Sequence, residues 1–114
     1  MSTHIALHHE TSGTGRPLIL LHGLFGSLSN WRPLAREWGE EFQVYSVDLR
    51  NHGQSPHSDE FNYQIMAHDL CVWMKNHNHK SASLLGHSLG GKVAMQFALN
   101  FPDMVEKLIV ADMT

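Results

Sequence analysis

The stretch Leu84–Val93, "LLGHSLGGKV", decides how the rest of the chain is read. An aliphatic run ends at Gly86, and Ser88 stands between Gly86 and Gly90. Glycines at this spacing let a strand turn abruptly into a helix, because a side chain at either position would collide with the neighbouring strand or helix. "GHSLG" fits the pattern G-x-S-x-G, in which the serine occupies a strained turn that pushes its Oγ out above the carboxyl ends of the strands. The plainer alternative is a serine that caps the helix beginning "SLGGKVAMQ". The aliphatic strand before the motif and the helical spacing after it favour the turn.

Upstream, strand and helix signals alternate. "THIALHHE" (Thr3 to Glu10) has partial period-two character and reads as an edge strand, followed by the turn-rich "TSGTGRP". "LILLH" (Leu18 to His22) is a continuous aliphatic run, as in a strand buried on both faces. "NWRPLAREWGEE" places Trp31, Leu34, Ala35 and Trp38 at helical spacing, with Asn30 as its expected N-cap. "FQVYSVDL" (Phe42 to Leu49) returns to strand, "RNHGQSPHSDEFN" is a polar loop, and Tyr63 through His77 carries a second helical pattern. "SASLLGH" is a strand, the stretch from Ser88 to Asn100 a third helix, and "KLIVADM" a last strand. Such alternation demands crossover connections, so the fold class is α/β, a mostly parallel, doubly wound sheet with helices on both faces. An open sheet ending on so apolar a strand would leave one face uncovered. Residues 1–114 are therefore expected to be the N-terminal portion of a single larger domain, the alternative being a complete small α/β protein.

Composition excludes several classes. The chain has 114 residues, 42% of them hydrophobic, with 8 Lys and Arg against 11 Asp and Glu and no basic block. That offers no electrostatic footprint for nucleic acid. No apolar run approaches the roughly 20 residues of a membrane span, and "MSTHIALHHE" lacks the features of a signal peptide. A cytoplasmic protein without a membrane partner is expected. Cys71, the one cysteine, reads as a buried small side chain in a helix. The 10 histidines are scattered and come with no H-E-x-x-H or Cys-rich spacing, so neither a structural metal nor a cofactor is indicated.

"HGLFGS" (His22 to Ser27) follows the "LILL" strand. Acyl transfer passes through an oxyanion that two backbone N–H groups can stabilise. One donor would be Leu89, the residue after the serine; the other would be Leu24, with Phe25 as the alternative. Gly23 and Gly26 allow the loop to approach closely. Taken singly, "HGLFG" could also be an ordinary strand-to-helix turn.

"HGLFGS", "DLRNHGQS" and "GHSLGGK", in this order and each after a strand, resemble the α/β-hydrolase superfamily, and within it the small bacterial esterases of the YbfF type and their mitochondrial relatives. The resemblance covers nearly the whole chain. It implies a serine hydrolase acting on small-molecule acyl esters or thioesters, with a helical cap over the site and no metal. It also implies the chain order serine, acid, histidine. Every histidine here precedes Ser88, so the catalytic base is expected outside these 114 residues. His52 and His87 are poor substitutes, the first as a loop residue bonded to backbone, the second because its side chain should point away from that of Ser88. His22 is expected to brace the oxyanion loop. Asp112, ending "KLIVAD", is a candidate for the acid, since some members carry it on that strand; an ordinary loop aspartate is the other reading. Two further functions stay open: a catalytically inactive module that keeps the core of the fold, and a lyase or C–C hydrolase sharing the same turn.

Overall fold

In the computed structural model, which describes residues 5–111, Leu18–Leu21 is buried on both sides because its strand is the middle one of a five-stranded sheet. The strands are β1 (His9–Ser12), β2 (Arg16–Leu21), β3 (Phe42–Val47), β4 (Ala82–His87) and β5 (Val105–Ala111), in the order β1-β3-β2-β4-β5. β2 pairs in parallel with β3 and β4, and β4 with β5; β1 lies antiparallel at the edge beside β3. The helices are α1 (Arg32–Trp38), α2 (Tyr63–Asn76) and α3 (Leu89–Asn100). The expected mostly parallel, doubly wound α/β architecture is the one observed. Among the described residues no helix is long and apolar enough to cross a membrane.

Alternate residues of the sheet feed two cores. Ile19 and Leu21, Tyr45 and Val47, and Leu84 face α2 and α3, where Met66, Leu70, Trp73, Val93 and Phe97 close the larger core. Leu18, Leu20, Val44 and Leu85 face the other way, under Ala35, Trp31 and Trp38 of the α1 region. Each fully buried aliphatic or aromatic side chain stabilises the fold by about 1.5–3 kcal/mol, which fixes the register of the central strands. Cys71 is buried as expected, its Sγ 3.8 Å from Met104 Sδ. The fifth strand differs: Leu108 and Ile109 are 38% and 52% exposed.

Two expected boundaries move. The edge strand is His9–Ser12 in place of Thr3–Glu10: Asp48 N–H, in register with the β1–β3 ladder, donates to His8 O at 2.9 Å, but His8 N–H turns away to Ser55 Oγ at 2.8 Å, and the ladder stops there. Thr3 and His4 lie outside the described residues. The first helix is not capped by Asn30. Ser27 caps a 3₁₀ turn over Leu28–Trp31, Asn30 Oδ1 accepts from Ser27 N–H at 3.0 Å, and α1 follows with Trp31 as its N-cap. The polar side chain at N3 of this capping box holds the start of the turn.

Candidate active site

β4 delivers the chain to the carboxyl edge of the sheet, and α3 must leave it at once. Ser88 makes the junction with φ 55° and ψ −114°, a left-handed φ that an L-residue adopts only under strain, at about 1–3 kcal/mol. The two glycines are steric necessities. A Cβ on Gly86 would strike the carbonyl oxygen of Gly90 and lie 2.6 Å from Gly91 N. One on Gly90 would strike the carbonyl oxygen of Leu21 and lie 2.7 Å from that of His22. The first turn of α3 is thus pressed against both β4 and the end of β2. Leu84 and Leu85 are buried before the turn, Val93 and Phe97 after it, and Ser88 itself is half-buried. Its N–H donates to the carbonyl of Ala111 at 3.3 Å, which ties the turn to the end of β5, where His87 pairs with Ala111. Asp112, the next residue, lies outside the described residues.

The loop after β2 meets this turn. A Cβ on Gly23 would lie 3.3 Å from Ser88 Cβ and 3.1 Å from His87 Nδ1, so the bare backbone of Gly23 lets the loop approach. Gly26 N–H donates to Gly23 O at 3.0 Å, closing a tight turn in which Phe25 has φ 63°. Leu24 and Phe25 are exposed at its tip. Leu89 is the first residue of α3, where a backbone N–H has no partner within its own helix.

Four buried polar groups hold the loops. Leu49 N–H donates to His22 Nε2 at 3.0 Å, so the proton of this imidazole is on Nδ1, which donates to Gly23 O at 2.7 Å. Burial pushes the His22 pKa below the ordinary histidine range, outweighing the opposing effect of the Gly23 carbonyl. His22 braces the Gly23 loop, as expected. The Asp48 carboxylate accepts from Leu28 N–H at 2.7 Å and from Gln54 N–H at 2.9 Å, joining that loop to the one after β3. Gly53, with φ 51°, is required beside it, because a Cβ there would collide with this carboxylate. His52 is buried and its Nδ1–H donates to the Arg50 carbonyl at 2.9 Å, a backbone-bonded loop role.

The fourth group is Arg50, whose Nε–H and Nη2–H grip the two oxygens of Asp69 at 2.8 and 2.9 Å, both side chains almost fully buried. Its Nη1–H donates to Glu60 O at 3.0 Å, and Asp69 also accepts from Ile5 N–H at 3.2 Å. The structure brings Ser88, Leu89 and the Leu24–Phe25 loop to one edge. The sequence pattern left the roles of Asp48 and Asp69 unread, and the one available sign was a carboxylate at buried helical spacing in α2. Among the described residues no group of three or more His, Cys, Asp or Glu is arranged to hold a metal ion.

A family model described as alpha/beta hydrolase fold matches residues 16–113, and the chain belongs to that family. It is 41% identical over 96 residues to Esterase YbfF of Escherichia coli (strain K12), covering 84% of this chain and 38% of that protein. It is 43% identical over 108 residues to the sn-1-specific diacylglycerol lipase ABHD11 of Xenopus tropicalis, covering 93% of this chain and 34% of that one. Among solved structures, a marine microorganism esterase superposes with a TM-score of 0.92 at 50% identity, covering 93% of this chain and 41% of that chain. The chain spans about a third of the length of the curated relatives it matches.

Proposed function

We propose that residues 1–114 form the N-terminal, nucleophile-bearing portion of an α/β-hydrolase domain that cleaves small-molecule acyl esters or thioesters. The observation that carries this reading is the left-handed backbone of Ser88 at a glycine-walled strand-to-helix turn, with the Gly23 loop in contact with it. Strain of this kind persists where the surrounding structure enforces it, and here it holds a hydroxyl at the open edge of the sheet.

In this mechanism Ser88 Oγ attacks the substrate carbonyl carbon and its proton passes to a histidine from chain outside these residues. The carbonyl oxygen becomes an oxyanion, held by Leu89 N–H and by Leu24 N–H, with Phe25 N–H as the alternative second donor. Each such donor contributes about 2.7–4 kcal/mol. The tetrahedral intermediate collapses, the histidine returns the proton to the departing alkoxide or thiolate, and water then releases the acid from Ser88 by the same route. Asp112 follows Ala111, the partner of Ser88 N–H, and is the acid we assign to orient the histidine.

The test is a fluorophosphonate probe applied to the full-length protein. Covalent labelling at Ser88, lost in Ser88→Ala, supports a serine hydrolase; an unreactive parent assigns the chain to an inactive module. Asp112→Asn should lower kcat by orders of magnitude with the fold intact, whereas near-wild-type turnover moves the acid to a later strand.

A further inference from the structure

The tip of the loop after β2, Leu24–Gly26, separates two clefts. One of about 520 Å³ lies toward Trp31 and Leu34 of the α1 region. The other, of about 350 Å³, opens between the tip and the loop after β3, where Asn51, His52 and Phe61 line it. No Asp, Glu, Lys or Arg side chain lines this second cleft. Its walls carry large apolar groups left to solvent: Phe25 is 92% exposed, Leu24 51% and Phe61 45%. The backbone behind each wall is hydrogen-bonded. Phe25 rides on the turn closed by Gly26 and braced by His22, while Phe61 follows Glu60, whose carbonyl accepts from the buried Arg50. Beside Phe61, the ring of His52 lies 6.2 Å away, tilted by 32°. An uncharged cleft between exposed aromatics is suited to an aliphatic chain, and the loop tip that forms one wall also carries the backbone N–H groups assigned above to the oxyanion.

We propose that this cleft receives the acyl chain of the substrate and that Phe61 determines specificity by favouring chains longer than acetyl. The proposal rests on the reading of Ser88 as nucleophile. It is tested in the full-length protein with p-nitrophenyl esters from acetate to octanoate, and separately with acetate esters of increasingly long alcohols. The octanoate-to-acetate ratio of kcat/KM should fall about tenfold in Phe61→Ala, carried by KM, and recover in Phe61→Leu. A substitution that merely disturbed the fold would lower both esters alike and leave the ratio unchanged; that result, with turnover intact, overturns the assignment of the cleft. So does a ratio that responds to alcohol length instead of acyl length, which would make the cleft a leaving-group site. Absence of any Ser88-dependent turnover in the unsubstituted protein overturns the hydrolase reading itself.

Discussion

At Ser88 the backbone and the side chain make opposing demands. The φ of 55° favours glycine, yet the proposed chemistry requires a hydroxyl. Relief of strain is worth about 1–3 kcal/mol, and the added freedom of glycine in the unfolded chain costs about 0.5–1 kcal/mol. Ser88→Gly should therefore be about 1 kcal/mol more stable than Ser88→Ala, although both lack the nucleophile; thermal or urea unfolding of the two full-length variants measures the difference. A Ser88→Gly variant less stable than Ser88→Ala by about 0.5–1 kcal/mol, the entropic cost of glycine alone, would mean that the turn is not strained. The flanking glycines behave oppositely. Gly90→Ala places a methyl group against the carbonyl oxygens of Leu21 and His22, backbone that cannot rotate away, and should cost about 1–3 kcal/mol or prevent folding. These positions were legible in the sequence because the constraint is local: four or five consecutive residues specify the turn.

Between elements, the constraints are long-range, and they were not legible. Arg50 and Asp69 join the loop after β3 to α2, and Asp69 also holds the N-terminal segment at Ile5. Nothing in the sequence near either residue announces the partner, and the start of β1 at His9 has the same long-range origin, in the bond from His8 N–H to Ser55 Oγ. Removing one member of a buried ion pair leaves an uncompensated charge and costs about 3–5 kcal/mol, whereas replacing both with apolar residues is often neutral or stabilising. Asp69→Ala should accordingly lower the urea midpoint steeply, and Arg50→Met with Asp69→Leu should restore most of it. Where β1 meets α2, His9, His77 and His79 surround Trp73, with Tyr45 on the β3 side; the rings of His9 and His77 are 4.8 Å apart, and Trp73 Nε1–H donates to His9 Nδ1 at 3.3 Å. Burial, then the charges of His77 and His8, lower the pKa of His9; burial, then His77, lower that of His79. Because the folded values lie below the unfolded value of about 6.5, the unfolded chain binds more protons at mildly acid pH. The stability they contribute is complete above pH 6.5 and is lost as pH falls through the folded values. Urea midpoints between pH 8 and pH 5 should show this decline, and His9→Gln, which keeps an acceptor for Trp73, should make it shallower.

Across the whole molecule, the described residues bring Ser88, Leu89 and the Leu24–Phe25 loop to one edge of the sheet, and the function proposed above takes its proton acceptor from chain outside these residues. Expressed alone, the chain should show essentially no turnover of a short acyl ester, since no histidine follows Ser88. Robust hydrolysis abolished by Ser88→Ala would identify an upstream histidine as the base. The sheet itself sets a second condition on such an experiment. Among the described residues β5 is hydrogen-bonded on one side, to β4, and its last residues, "LIVA", run uncharged to the end of the strand with Leu108 and Ile109 open to solvent. A row of unpaired N–H and C=O groups beside exposed aliphatic side chains is a template for another strand. Released from a ribosome or purified without a covering partner, the chain should therefore precipitate or form β-rich oligomers at micromolar concentration, a liability of colloidal behaviour more than of folding. Light scattering would follow this, and Ile109→Lys, a charge on that open edge, should delay it; unchanged monodispersity in both chains would show that the edge is inert.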